Sequence, residues 1–116
     1  MLIRIDVDSP RPLFEQVAAA IRADIAAARI APGDRLPAAR EVAAALDINQ
    51  HTVLHAYQQL RDEGLVDLRR GRGATVAASA APLAELSHDI RALIARAVDL
   101  GLSPAILAAL VEEAAV

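Results

Sequence analysis

The sequence predicts an α+β fold that is mainly α: a helical body carrying one β-hairpin, followed by a short tail of two helices. Three observations predict it. Apolar residues recur at helical spacing on both sides of a break at Asp47-Ile48-Asn49. Two short strand-like segments then flank Arg69-Arg70-Gly71-Arg72-Gly73. After Pro82 the helical period returns, on a segment poor in basic residues. The expected division is therefore residues 1–78 and residues 79–116.

Each element can be justified in order. Leu2-Ile3-Arg4-Ile5-Asp6 reads as a short extended arm, broken by Ser9-Pro10 and Pro12. A first helix follows, with Phe14, Val17, Ala18, Ile21 and Ile25 on one face. Pro32-Gly33 is a turn, and Asp34-Arg35-Leu36 a candidate edge strand for the hairpin. The next helix buries Val42, Ala43 and Leu46. Asp47 stands where the chain must reverse, and Asp is one of the few non-glycine residues that tolerates a left-handed conformation. Ile48 is apolar inside that turn and plugs the angle between the helices. Asn49 is an N-cap whose side-chain oxygen can accept from the amide of His51 or Thr52. The following helix runs from Gln50 to Glu63 around Val53, Ala56, Tyr57 and Leu60, and Gly64 ends it as a C′ glycine. With one Phe and one Tyr in the chain, the core must be aliphatic, with Phe14 and Tyr57 as its largest pieces.

The strands expected next are Leu65–Leu68 and Ala74–Val76. Gly71 and Gly73 allow positive φ at the tip and a close approach to another molecule. Three arginines within four residues would be costly in a buried loop. They suit a projection that reaches phosphates or a narrow minor groove. On the helix before it, Gln50, His51, Thr52 and His55 keep donors and acceptors near the N-terminal, outward face, which suits base edges and phosphates in a major groove. Two helices around a tight turn, with an arginine-loaded hairpin behind, point to double-stranded DNA as partner.

Charge distribution refines that reading. The formal net charge is −3, which argues against indiscriminate nucleic-acid binding. Residues 1–78 hold ten Arg and ten acids, and residues 79–116 hold two Arg and five acids. Binding should thus rest on oriented contacts and avidity more than on bulk charge. Every Lys/Arg position is Arg, in an alanine-rich chain; coding composition is the plain explanation. Without Cys there is no disulfide framework or thiolate switch. No signal peptide and no apolar run of ~18 residues is seen, so a cytoplasmic location is expected.

In the tail, Leu83, Leu86, Ile90, Leu93, Ile94, Ala97 and Leu100 form an apolar helical stripe closed by Gly101. Ser103-Pro104 caps a second helix, which continues the pattern with Ile106, Leu107, Leu110 and Val111. Two helices of this length cannot enclose a sizeable ligand cavity of their own. They can bury the stripe on a second copy. Leu86, Ile90, Leu93, Ile94, Ala97, Leu107 and Leu110 are accordingly the candidate dimerisation residues; packing back onto the first part is the other reading.

Taken together, these residues resemble the winged helix-turn-helix domain of GntR-type bacterial transcription regulators. The resemblance runs from Pro12-Leu13-Phe14 and Gln16-Val17 through Ile30–Pro37 and Arg40-Glu41 to Thr52-Val53, Ala56-Tyr57, Leu60, Glu63-Gly64-Leu65 and Arg70-Gly71-x-Gly73. The short tail is similar to that of the YtrA-type subgroup. The resemblance implies that Arg40 contacts operator DNA and that Arg35 lies near the phosphate backbone. It implies that Asn49, Gln50, His51 and Thr52 begin the recognition helix, and that Gly71, flanked by Arg70 and Arg72, approaches the minor groove. It further implies a homodimeric repressor of its own operon and of adjacent ABC-transporter genes, with no cofactor. Three positions depart from the usual pattern: Ala38 stands for a serine, Asp47 for a glycine and Gln50 for an arginine. A Gln at that position favours adenine if it reads a base.

Other classes fare worse. His51 and His55 are four apart, as metal-binding pairs are, yet no neighbouring carboxylate or Cys completes a site. No Ser-His-Asp order, paired acids or phosphate loop suggests an enzyme. The alternative from another class is a winged-helix module that binds a protein and no operator, with the acidic tail as its docking surface. A detached part of an aminotransferase-like fused regulator is a further alternative. Room for a small-molecule effector remains open in either case.

Overall fold

The computed structural model describes residues 3–71 and 73–115. The elements are α1 (Leu13–Ala26), α2 (Ala39–Leu46), α3 (Gln50–Asp62), β1 (Val66–Arg69), β2 (Gly73–Val76), a 3₁₀ turn (Ala78–Ala80), α4 (Ala81–Asp99) and α5 (Pro104–Ala114). Contacts divide the chain into compact units at residues 1–85 and 86–116. The division falls inside α4, beyond the expected 78/79 boundary, because Ala80 is buried in the first core and Leu83 packs against it.

In the first unit α3 is the central element and packs on α1, α2 and β1. Its face of Val53, Ala56, Tyr57 and Leu60 meets Val17, Ile21 and Ile25 of α1 in a core shared with Val42 and Ala43 of α2. Val66 and Val76, directly paired across the hairpin, close that core from the sheet side. Each Val, Leu or Ile so removed from water stabilises the fold by about 1.5–3 kcal/mol before chain entropy is charged against it.

The hairpin register is Val66↔Val76, Asp67↔Thr75, Leu68↔Ala74 and Arg69↔Gly73. The first strand starts one residue later than expected, because the Leu65 amide is already spent on the Leu60 carbonyl where α3 ends. The expected edge strand at Asp34–Leu36 is a single antiparallel bridge, Arg35↔Thr75. It is nonetheless well bonded: Leu36 N–H donates to Ala74 and Val76 N–H to Asp34, both at 2.9 Å. The segment leading into α2 is thereby tied to the base of the hairpin.

Four helices end alike. In each, a residue with positive φ follows the helix, and the next amide reaches back to a carbonyl in the last turn: Arg29 to Asp24, Ile48 to Ala43, Leu65 to Leu60 and Leu102 to Ala97. Gly64 and Gly101 fill the left-handed position in two cases, at φ 79° and 80°. Asp47 fills it at φ 55°, as its side chain suggested, and half-buried Ile48 packs against the core. Ala28 fills it at φ 59°, which the sequence did not reveal.

No strand forms over residues 3–6 of the expected arm; Leu2 lies outside the described residues. Instead the Gln16 side chain stands in for a strand partner. Its Oε1 accepts the Asp6 amide at 2.7 Å and its Nε2 donates to the Asp6 and Arg11 carbonyls. Ile3 and Ile5 are held against the core.

The second unit contains the rest of α4 and α5. The Ser103 hydroxyl accepts the Ile106 amide at 3.2 Å, capping α5 as expected. Leu86, Ile90, Leu93, Ile94, Ile106, Leu110 and Val111 are all exposed in the single chain. Leu107 is half-buried. Ala97, expected on the same open stripe, is instead buried; its carbonyl takes the Leu102 amide where the chain turns back after α4.

Candidate nucleic-acid interface

Asn49 starts α3 in extended backbone, and its Oδ1 accepts the His51 amide at 2.8 Å. This cap sets the direction in which the first turn of α3 leaves the core. Val53, Ala56, Tyr57 and Leu60 face inward, so His51 is turned fully outward and Gln50 lies on the flank toward the hairpin. Thr52 is half-buried.

On that flank runs an open groove of about 420 Å³. One wall is the start of α2, from Pro37 to Arg40. The floor is Gln50, Leu54 and Tyr57 of α3, and the far wall is Leu68, Arg69, Arg70, Gly73 and Ala74 of the hairpin. Arg40, Gln50 and Arg70, far apart in sequence, are thus brought to one cleft. Arg35 and Gly71 line an adjoining depression with Glu41 and Gly73. Arg72 lies outside the described residues.

His55 is placed elsewhere. Five residues after Gln50, it lies roughly 140° around the helix at ~100° per residue. Its ring stacks on Phe14 with centroids 3.8 Å apart and planes 15° from parallel. The groove also contains Leu54 and Leu68, which sequence reasoning had not assigned to it, and Arg69 of the arginine-loaded hairpin tip. Leu54 gave no polar signal, and only the packing of the hairpin on α3 reveals that it borders the cleft.

The arginines are divided by their partners. Four arginines away from the groove are committed to carboxylates: Arg22 forks onto Glu63 with contacts of 2.8–3.0 Å, and Arg29 meets buried Asp24 at 2.6 Å. Arg11 pairs with Glu15, and Arg61 with Asp62. Among the described residues, the side chains of Arg40, Arg69 and Arg70 make no hydrogen bond or ion pair, and all three residues remain exposed. A chain with net negative charge therefore keeps uncompensated positive charge around one cleft. Such focusing raises the local concentration of anionic partners.

The α2 wall adds to this. Ala38 caps α2 without a side-chain hydrogen bond, so the first amides of the helix face outward with the positive end of its dipole. The wall is fixed from below by Tyr57, whose hydroxyl donates to the Pro37 carbonyl at 2.6 Å. Burial, with a smaller contribution from the Glu41 carboxylate, pushes the Tyr57 phenol up to about 12, which keeps it a donor at any physiological pH. No group of three or more His, Asp or Glu side chains suited to a metal ion occurs among the described residues. No helix of the described residues is long and apolar enough to cross a membrane.

Residues 13–76 match the family described as bacterial regulatory proteins, gntR family. The HTH-type transcriptional repressor YtrA of Bacillus subtilis is 35% identical over 79 residues, covering 68% of this chain and 61% of that repressor's length. Among solved structures, YtrA from Sulfolobus acidocaldarius, a GntR-family transcription factor, superposes with a TM-score of 0.63 at 34% identity, covering 85% of this chain and 99% of that one. The DNA-binding domain of AraR in complex with operator ORE1 superposes with a TM-score of 0.56 at 25% identity, over 66% of this chain and 94% of that one.

Proposed function

The chain belongs to the GntR family of bacterial regulatory proteins, and from that premise we propose that it represses transcription by binding an inverted-repeat operator as a homodimer. The observation that carries the reading is the groove in which unpaired Arg40, Arg69 and Arg70 surround Gln50. In this reading α3 lies in the major groove. The α2 start and Arg40 grip a phosphate, and the hairpin tip with Arg70 and Gly71 reaches the flanking minor groove. Arg35, beside Gly71, adds a phosphate contact along the same strand.

Dimerisation supplies the affinity that bulk charge does not. The exposed faces of α4 and α5, with Leu86, Ile90, Leu93, Ile94 and Leu110, are of the kind that a symmetric partner covers. Two linked half-sites then bind with the gain that effective concentration gives. Repression follows from occupying the promoter. The YtrA repressor of Bacillus subtilis supports the choice of repression over activation. An operator at the chain's own operon and at neighbouring ABC-transporter genes is the first target to try.

The test is selection from a duplex library with a randomised inverted repeat, followed by fluorescence anisotropy at two salt concentrations. A selected palindrome bound tightly and competed poorly by random duplex supports the proposal. Weak, steeply salt-dependent binding with no selected sequence would favour the protein-interaction alternative.

A further inference from the structure

Within the groove, hydrogen-bonding capacity is unevenly available, and that decides which side chains can read a base. Asn49 carries the right amide for adenine, but its Oδ1 is committed to the His51 amide at 2.8 Å. The cap bond ties that amide to the start of the helix. Thr52 is half-buried, and His55 has its ring stacked on Phe14. His51 points fully outward, away from the groove-lining flank. Gln50 is exposed and lines the groove, and its side chain has no hydrogen bond among the described residues. One helical turn further, Leu54 lines the same groove and is half-buried.

We infer, resting on the operator reading above, that Gln50 and Leu54 form one base-reading pair specific for A·T: Gln50 takes an adenine and Leu54 the methyl group of a neighbouring thymine. The chemistry follows from what each base presents in the major groove. Adenine offers the N6 amino donor and the N7 acceptor, which a side-chain amide meets with its oxygen and nitrogen at once. Guanine offers only acceptors there and would oppose the Gln50 oxygen. The cytosine amino group would be left without an acceptor beside Leu54, whereas the thymine methyl gains apolar contact there. Residues i and i+4 stand about 6 Å apart along a helix, roughly the spacing of two base steps. Arg40 on one side and Arg69 and Arg70 on the other bracket the pair. Their charge goes to phosphates, which hold α3 at the depth the reading requires.

The experiment uses the full chain and the duplex selected from the randomised inverted repeat. Base analogues are introduced one position at a time: 7-deazaadenine, which lacks N7, and uracil for thymine, which lacks only the methyl group. Changing the DNA leaves the protein intact, so a folding defect cannot imitate the result. One adenine per half-site should be sensitive to 7-deaza substitution, and a thymine within two steps of it should be sensitive to uracil. Replacing that adenine by guanine should cost roughly 5- to 150-fold in affinity. Gln50→Ala should abolish the 7-deaza effect and leave the uracil effect. Gln50→Arg should move the selected base from adenine to guanine. A selected palindrome whose binding ignores both analogues, or a 7-deaza effect that survives Gln50→Ala, overturns the assignment while leaving the operator reading in place. Failure to select any sequence overturns both.

Discussion

The Tyr57 hydroxyl donates to the Pro37 carbonyl at 2.6 Å, which locks the recognition helix to the residue just ahead of the α2 cap. Pro37 and Tyr57 are separated by 20 positions, and the bond closes the corner of the helix-turn-helix opposite the Asp47 turn. Arg40 projects from the segment so held. A single phenol therefore governs both the stability of the corner and the placement of Arg40, the proposed phosphate contact.

Tyr57→Phe keeps the ring in the core and removes only the hydroxyl. It should cost about 1 kcal/mol, since the Pro37 carbonyl loses its donor. The pH dependence provides a sharper check. Burial, and to a smaller extent the Glu41 carboxylate, raises the folded phenol from the ordinary 10.0 to about 12, so the proton is held more tightly in the folded chain. Its stabilising contribution is fully present below pH 10 and is lost as pH rises through 12. Denaturant midpoints measured between pH 9 and 12 should fall in the wild type and stay flatter in Tyr57→Phe. Parallel curves would show that another group controls the alkaline limb.

Ala28 invites the opposite result. It sits at φ 59° in the left-handed position after α1, where a Cβ costs about 1–2 kcal/mol relative to glycine. The greater freedom of an unfolded glycine takes back part of that gain. Ala28→Gly should raise stability by roughly 0.5–1 kcal/mol, a few degrees in Tm. Gly64→Ala, at φ 79° after α3, should lower it by a similar amount. Calorimetry of both variants checks the pair; an unchanged Tm in Ala28→Gly would mean that the C-terminal turn of α1 is set by other contacts.

The contrast between Asp47 and Ala28 shows what the sequence could disclose. Aspartate at a break in periodicity carries its own signal, because few residues adopt a left-handed turn without strain. Alanine carries none, and nothing short of the Arg29-to-Asp24 backbone bond reveals the turn there. Asn49, Gly64 and Ser103 were legible for the same reason as Asp47: each does a local job with local chemistry. Tyr57 was legible as core from helical spacing, but its bond to Pro37 depends on how α2 approaches α3. Leu54 and Leu68 were missed for the groove because the hairpin's packing on α3, not any motif, creates that wall. His55 went the other way: its position suggested DNA, and the neighbouring Phe14 supplies the partner its ring has taken.

Arg40→Ala and Arg70→Ala should weaken operator binding through the phosphates. A dimer loses two contacts for each substitution. With about 0.9 counterions released per B-DNA phosphate, the slope of log affinity against log salt should fall by roughly 2. Neither arginine is paired within the described fold, so thermal stability should hold steady. Preference between operator and mismatched duplex should change little, because both contacts position the protein without reading sequence. A large loss of preference with an unchanged slope would instead make the substituted arginine a base reader.

The tail carries the last prediction. Leu93 and Ile94 are adjacent on α4 and exposed at 47% and 36% in the single chain, although Ala97, one turn on, is buried. An apolar face of this kind is costly to leave in water, and a second copy is the simplest cover. Leu93→Glu would place a charge in the centre of that face and desolvate it in the dimer without compensation. Wild type should therefore run as a dimer by light scattering, and Leu93→Glu as a folded monomer. The variant should retain its affinity for an isolated half-site and lose the gain on the full inverted repeat, because that gain comes from linking two sites rather than from any contact within one. A wild-type monomer would sink the dimer outright. A dimeric Leu93→Glu would move the interface to another face of α4 and α5, with Leu107 and Leu110 the next positions to charge.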